Sequence, residues 1–125
     1  MKIRVLIVDD HWSFRDGLKL VINNQTDMEV IGEAENGETA IALTRELHPD
    51  VILMDVKMPV MDGAEATSRI LAEMPGMKIL GMSIYDDDSF MTNMLRAGAL
   101  GYILKGCDSE ELLGAIRRAA DSKNA

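Results

Sequence analysis

The sequence predicts an α/β fold in which helices cover both faces of a parallel sheet. Five short apolar runs alternate along the chain with five segments in which apolar residues recur at helical spacing. The apolar runs are continuous, which is typical of strands that are buried on both faces. Because strand–helix–strand connections are right-handed, strict alternation favours parallel strands with helices on both sides. We therefore predict one doubly wound domain over residues 1–125.

The five strands are predicted from apolar runs that end at polar or turn-forming residues. They are placed at residues 3–8, 29–34, 51–54, 78–82 and 101–104. In sheets of this class, ligands bind beyond the carboxyl ends of the strands, at the switch point of the winding. The residues that follow each strand are therefore the first candidates for a functional site.

The five helices are predicted from the spacing of apolar residues and from their end signals. Their inward faces are Phe14, Leu18, Val21 and Ile22; Ala40, Leu43 and Leu47; Ala66, Ile70 and Met74; Phe90, Met91, Met94 and Leu95; and Leu112, Leu113, Ile116 and Ala120. Pro49 and Gly98 are expected to end the second and fourth helices. The acids at 86–88 are expected to open the fourth helix, and Asp108, followed by Glu111, predicts a capping box for the last.

Composition and charge narrow the classes of function. The net charge of −8 argues against nucleic acid binding by this domain, because phosphate contacts need a basic surface. A divalent cation or a basic partner suits that charge better. The single cysteine, Cys107, excludes an internal disulfide. There is no apolar run of membrane-spanning length and no signal peptide, so we expect a cytoplasmic protein without membrane contact.

Polar residues stand at the carboxyl ends of four predicted strands. The first strand is followed by Asp9 and Asp10, the third by Asp55, the fourth by Ser83 and the fifth by Lys105. Parallel strands place all their carboxyl ends on one edge of a sheet. Three carboxylates, a hydroxyl and an ammonium are therefore expected to converge on one patch.

The chemistry of that set favours phosphoryl transfer. Two like charges ~4 Å apart near a protein surface cost about 4 kcal/mol, so a cluster of carboxylates calls for a compensating cation. Oxygen ligands favour Mg²⁺, or Mn²⁺, over Zn²⁺. Mg²⁺ uses one or two carboxylates, which leaves Asp55 as the candidate nucleophile, since aspartate forms acyl phosphates. Lys105 and Ser83 can then contact phosphoryl oxygens and neutralise developing charge.

These residues resemble the response-regulator receiver domain of two-component signalling. The resemblance lies in the paired acids Asp9 and Asp10, the segment DVKMPVMDG at 55–63, Ser83, and the segment GYILK that ends at Lys105. It covers the whole chain and is specific in order and spacing. It implies a flavodoxin-like (βα)5 sheet with strand order 2-1-3-4-5.

The resemblance also implies a role for each site residue. Asp55 would accept a phosphoryl group from the phosphohistidine of a sensor histidine kinase. Asp10, Asp55 and the main-chain carbonyl of Lys57 would bind Mg²⁺ directly, while Asp9 would assist through water. A protein of this kind is a signalling switch that acts only on its own aspartyl phosphate, rather than an enzyme with a separate substrate.

Two further residues would change position on phosphorylation. Ser83 would move toward the phosphoryl group, and Tyr102 would be the aromatic residue that swings inward behind it. We expect the face made by the fourth helix, the fifth strand and the last helix to carry the signal. The outcome is either homodimerisation or release of an output domain, and the sequence does not choose between the two.

Several segments resemble the NarL/FixJ-type subfamily, whose receivers precede a LuxR-type helix-turn-helix domain. They are HWSFRDGLK, MEVIGEAENGETAI and GYILKG. The chain stops after one last helix, so we expect the receiver portion of a longer protein that regulates transcription, with DNA contacted only through an output domain absent here. A stand-alone or contact-only receiver is the alternative.

Two positions depart from the commoner receiver pattern. Gly106 follows the lysine, where many receivers have a cis proline. Ile84 follows the switch hydroxyl, where the family often has a small residue. We expect the bulky side chain of Ile84 to narrow access to Asp55, and therefore to slow both reaction with small phosphodonors and hydrolysis.

Competing interpretations are weaker. A Mg²⁺-dependent phosphohydrolase would often carry an acid two residues after the nucleophile, where this chain has Lys57. A flavodoxin-type nucleotide binder would need a glycine- or hydroxyl-rich loop after the first strand, whereas Asp9 and Asp10 have the opposite electrostatic character. The acids could also be simple caps or turn residues. For His11 we favour a solvated position at a helix start over contact with a metal-bound water.

Overall fold

The computed structural model describes residues 1–84 and 88–122 of the chain. In that part, strands β1 Ile3–Val8, β2 Met28–Ala34, β3 Val51–Asp55, β4 Lys78–Ser83 and β5 Gly101–Leu104 alternate with helices α1 Trp12–Asn23, α2 Gly37–Leu47, α3 Gly63–Glu73, α4 Asp88–Ala97 and α5 Ser109–Asp121. All strands are parallel and lie in the order β2-β1-β3-β4-β5. The predicted flavodoxin-like (βα)5 fold is confirmed.

The core has two halves because alternate residues of a strand point to opposite faces of the sheet. On one face, Val5 and Ile7 of β1 pack in a cluster with α1 and α5. On the other face, Leu6 and Val8 pack in a cluster with α2, α3 and α4. All four of these side chains are fully buried, as expected for a strand covered on both sides.

The helix ends follow the predicted signals in most places. Asp108 caps α5 by accepting a hydrogen bond of 2.8 Å from the backbone N–H of Glu111. Gly98 follows α4 with φ +113°, a left-handed conformation that glycine adopts without strain. Helix α4 begins at Asp88, while the other acids expected to open it, at 86 and 87, lie outside the described residues.

Strand bounds differ from the prediction by one residue in three places. Strand β2 begins at Met28, β3 extends to Asp55 and β4 extends to Ser83. The two extensions arise because ladder pairing continues to the polar residues, with Asp55 opposite Met82 and Ser83 opposite Leu104. The sheet therefore fixes the backbone of Asp55 and Ser83 directly.

Candidate functional site

The register of the sheet brings the predicted polar residues to one edge. Val8 of β1 pairs with Met54 of β3, so Asp9 and Asp55 come next on neighbouring strands. The backbone N–H of Lys105 donates to the carbonyl of Ser83, at 2.8 Å, which joins the ends of β5 and β4. This edge is where the winding of the sheet reverses between β1 and β3, the place where such folds bind ligands.

Lys105 is the cation that joins the two buried carboxylates of the site. Its Nζ lies 2.6 Å from Asp9 Oδ2 and 3.2 Å from Asp55 Oδ2. Asp9 is completely buried and Asp55 nearly so, and the Lys105 side chain is 9% exposed. The same ammonium lies 4.8 Å from the ring centroid of Phe14, which adds a cation–π contact.

The contact between Lys105 and Asp9 is an ion pair that lacks hydrogen-bond geometry. Within the described part of the chain, Oδ2 of Asp9 has no hydrogen-bond partner although it is fully buried. Buried carboxylate oxygens without such partners are rare, because desolvation is costly. The ammonium of Lys105 is therefore the charge partner that compensates the burial of Asp9 Oδ2.

The other contacts of Asp9 come from the start of α1. The backbone N–H of His11 donates to Asp9 Oδ1 at 2.8 Å, and His11 Nδ1 lies 3.1 Å from the same oxygen. The guanidinium of Arg15 donates to the Asp9 carbonyl at 2.5 Å and also pairs with Glu33 at 3.1 Å. The loop between β1 and α1 is thus fixed at both its main chain and its side chains.

Asp55 lies under a loop that packs closely against its backbone. The backbone N–H of Gly63 donates to the carbonyl of Val56 at 3.0 Å. A Cβ atom at Gly63 would lie 2.1 Å from the carbonyl oxygen of Asp55, so only glycine fits there. The same loop contains Val60 with φ +71°, an unfavourable conformation for a β-branched residue.

Burial changes the acidity of the phosphoacceptor candidate. The pKa of the Asp55 carboxyl is raised from 3.8 to about 6, first by desolvation and then by the negative charge of Asp9. The ammonium of Lys105 acts in the opposite direction but does not cancel the increase. At neutral pH without a cation, the site therefore carries electrostatic strain that a bound divalent ion would relieve.

The donor set at this edge fits a divalent cation. Asp9, Asp10, His11 and Asp55 each offer one ligand atom, and these atoms lie within 4.8 Å of one another. Three of the four are carboxylates, the ligands that Mg²⁺ and Mn²⁺ prefer. Asp10 and His11 are the exposed members, and Asp10 is open to a hydrated ion.

The remaining predicted site residues lie nearby but differ in exposure. Lys57 is exposed, and its backbone N–H lies 3.4 Å from Asp55 Oδ1 in a long hydrogen bond. Ser83 is buried at the end of β4, and Ile84 beside it is 70% exposed. Tyr102 is half-buried in β5, opposite Gly81, and packs against the cluster that includes α4.

Known proteins are similar in sequence to the chain that forms this site. Residues 5–117 match the response regulator receiver domain family. The chain is a response regulator receiver domain. It is 42% identical over 119 residues to the transcriptional regulatory protein DegU of Brevibacillus brevis, an alignment that covers 95% of this chain and 50% of that protein.

Solved structures agree with the receiver fold and its subfamily. A LuxR-family response regulator of Aurantimonas sp. SI85-9A1 superposes with a TM-score of 0.93 and 32% identity, covering 100% of this chain and 89% of that one. The receiver domain of the response regulator NarL from Mycobacterium tuberculosis has the same TM-score and identity over 98% of both chains. The predicted NarL/FixJ-type resemblance is confirmed. The chain spans about half the length of the curated relatives it matches.

Two residues beside the acid pair were missed by the sequence-based reasoning. His11 is solvated as expected, with 65% of its side chain exposed, and its imidazole also contacts Asp9 and Asp10. Arg15 and Glu33 were not considered, although Arg15 follows His11 by one helical turn and so returns to the same face of α1. The signal for Arg15 was present in the segment HWSFR, whose spacing places His11 and Arg15 beside the acid pair.

Within residues 1–84 and 88–122, no helix has the length and apolar character needed to cross a membrane.

Proposed function

We propose that this receiver domain accepts a phosphoryl group on Asp55 from the phosphohistidine of a sensor histidine kinase, with Mg²⁺ as the cofactor. The observation that carries the proposal is the buried carboxylate of Asp55, paired with Lys105 at 3.2 Å and adjacent to two further carboxylates. A carboxylate oxygen of Asp55 would attack phosphorus as the P–N bond to histidine breaks, and the released imidazole takes up a proton. A cytoplasmic location, where such kinases present their phosphohistidine, fits this role.

The metal site would be formed by Asp10, Asp55 and the main-chain carbonyl of Lys57, with Asp9 assisting through water. When bound, Mg²⁺ supplies positive charge that offsets the charge developing on the phosphoryl oxygens. Mn²⁺ has similar ligand preferences and is expected to replace it. The raised pKa of Asp55, about 6, supports such a cation, because a bound positive charge would favour the ionised carboxylate that reacts.

Lys105 and Ser83 would contact the transferred group. The Lys105 ammonium already lies beside Asp55 Oδ2, so a phosphoryl oxygen bound there would exchange one anionic partner for another. Ser83 is the last residue of β4 and would offer its hydroxyl to a second phosphoryl oxygen. Hydrolysis of the acyl phosphate by water would reset the domain, and both steps act on its own aspartate alone.

The switch would act through Ser83 and Tyr102 on the face made by α4, β5 and α5. Phosphorylation adds about −1.5 to −2 charge at the strand ends, and Lys105 sits at the end of β5 next to that face. The relatives include proteins named as transcriptional regulators, which favours an output in transcription. DNA contact would require a separate output domain, and homodimerisation would be one means of transmitting the signal. A contact-only receiver is the competing interpretation.

Intact-protein mass spectrometry tests the proposal. The wild-type chain and Asp55→Asn are incubated with phosphoramidate in Mg²⁺ or in excess EDTA. We expect one phosphoryl adduct only for the wild type with Mg²⁺, which hydroxylamine removes because acyl phosphates are cleaved by it. An equal adduct on Asp55→Asn would contradict the proposal, and no adduct even with Mn²⁺ would favour the contact-only receiver.

A further inference from the structure

The imidazole of His11 is the group in the acid cluster that oxygen-based Mg²⁺ binding does not use. Its Nδ1 lies 3.1 Å from Asp9 Oδ1 and 3.4 Å from Asp10 Oδ1. His11 is the N-cap residue of α1, yet its side chain makes no capping hydrogen bond. The imidazole is therefore directed at the carboxylates rather than at the helix.

These spacings match those within the coordination shell of a single metal ion. Two ligand atoms that each lie about 2.1 Å from an ion are about 3.0 Å apart at a right angle and about 3.4 Å apart at a tetrahedral angle. The two distances from His11 Nδ1 fall in this range without rearrangement of the loop. The ligand atoms that Asp9, Asp10, His11 and Asp55 offer also lie within 4.8 Å of one another, so the imidazole belongs to the same cluster as the carboxylates.

We propose that His11 contributes a nitrogen ligand, so that the site binds borderline divalent ions such as Ni²⁺ and Co²⁺ in preference to Mg²⁺. The inference rests on the metal site of the proposed function and adds a ligand to it. Imidazole suits Ni²⁺, Cu²⁺ and Zn²⁺, whereas Mg²⁺ prefers oxygen and retains its waters. Ions of the first class would then compete with Mg²⁺ at Asp10 and Asp55.

The chain offers a matched pair of variants for a test, because it contains two histidines. His11→Asn removes the nitrogen ligand but keeps a residue favoured at an N-cap. His48→Asn is the control, because His48 is exposed, follows α2 and has φ 48°, a conformation that asparagine tolerates. Trp12 is the only tryptophan, lies next to His11 and is 69% exposed, so its fluorescence reports binding of a paramagnetic ion.

Untagged wild type and both variants are titrated with Ni²⁺ while Trp12 quenching is followed, and with Mg²⁺ by calorimetry. We expect the Ni²⁺ dissociation constant to rise at least about tenfold in His11→Asn and to stay unchanged in His48→Asn. The Mg²⁺ affinity should change less than about twofold in both. Equal Ni²⁺ affinity in the wild type and in His11→Asn would overturn the proposal.

Proton NMR of the Co²⁺ complex provides a readout independent of affinity. A hyperfine-shifted imidazole N–H resonance is expected in the wild type and His48→Asn and absent in His11→Asn. A resonance retained in His11→Asn would overturn the assignment of the ligand. Failure of Mg²⁺ to bind the wild type would contradict the proposed function itself, whereas normal Mg²⁺ binding with unchanged Ni²⁺ affinity would contradict only the role of His11.

Discussion

Lys105 Nζ lies 3.2 Å from Asp55 Oδ2, although the two residues are 50 positions apart in the sequence. The contact pairs the proposed phosphoacceptor with a cation before any phosphoryl group is present. Because Asp9 shares the same ammonium, one positive charge serves two buried carboxylates. This shortage of positive charge underlies the first two predictions that follow.

Replacing Lys105 by methionine should destabilise the metal-free domain. Lys105→Met leaves two buried carboxylates without a cation, and loss of one partner of a buried pair costs about 3 kcal/mol. Urea unfolding in EDTA at pH 7.5 measures the effect, with Lys2→Met at an exposed position as the control. A loss no larger than that of the control would show that the ion pair contributes nothing to stability.

Asp55→Asn should stabilise the metal-free domain, and increasingly so as the pH rises. The pKa of Asp55 is raised to about 6 in the folded protein, so the stability from its protonated form is complete below pH 3.8 and is lost as the pH rises through 6. Asparagine remains neutral throughout. The gain in unfolding free energy should be on the order of 1–3 kcal/mol at pH 7.5 and near zero at pH 4.

Unfolding of both proteins in EDTA across this pH range measures the difference. We expect the difference in unfolding free energy between Asp55→Asn and the wild type to grow between pH 4 and 7.5. A constant difference would mean that desolvation and the charge of Asp9 do not raise the pKa of Asp55.

Gly63→Ala should be strongly destabilising and should impair phosphorylation. Its Cβ would overlap the Asp55 carbonyl oxygen at 2.1 Å, which forces the loop or the end of β3 to move. Gly17→Ala is the matched control, because a Cβ there meets no atom within 4 Å and helix α1 should gain about 0.5–1 kcal/mol. Similar thermal unfolding midpoints for the two variants would contradict the close approach of Gly63 to Asp55.

Ile84→Ala should react faster than the wild type with phosphoramidate and should lose its phosphoryl group faster. The Ile84 side chain is 70% exposed and directly follows Ser83, and we expect it to restrict access to Asp55 from that position. Leu100→Ala, at another exposed apolar residue, should leave both rates unchanged. Equal rates of phosphorylation and of phosphoryl loss in wild type and Ile84→Ala would contradict steric restriction by Ile84.

The sequence predicted the fold well because the period of its apolar residues reflects burial directly. Val5 to Val8 form a continuous apolar run because both faces of β1 are covered, and that pattern alone placed Asp9 at a strand end. The convergence of Asp9, Asp55 and Lys105 followed from parallel topology, which the sheet register confirms.

Other features depend on side-chain direction and on backbone torsion, which the apolar pattern does not encode. The backbone N–H of His11 donates to Asp9 Oδ1, and this turn places the imidazole beside the acids. Val60 adopts a positive φ in a loop, where propensity would favour glycine or asparagine. The resemblance assigned Asp9 an indirect role at the metal, and it did not reveal that Asp9 lies closer to the Lys105 ammonium, at 2.6 Å, than Asp55 does, at 3.2 Å.

Phosphorylation of Asp55 is tested most directly by chemical identification of the modified residue. The chain is treated with phosphoramidate and Mg²⁺, reduced with borohydride, which converts an aspartyl phosphate to homoserine, and analysed as peptides by mass spectrometry. We predict homoserine at position 55 only, and none when Mg²⁺ is replaced by EDTA. A stable phosphoryl adduct on another residue, with Asp55 unreduced, would contradict the assignment of Asp55 as the phosphoacceptor.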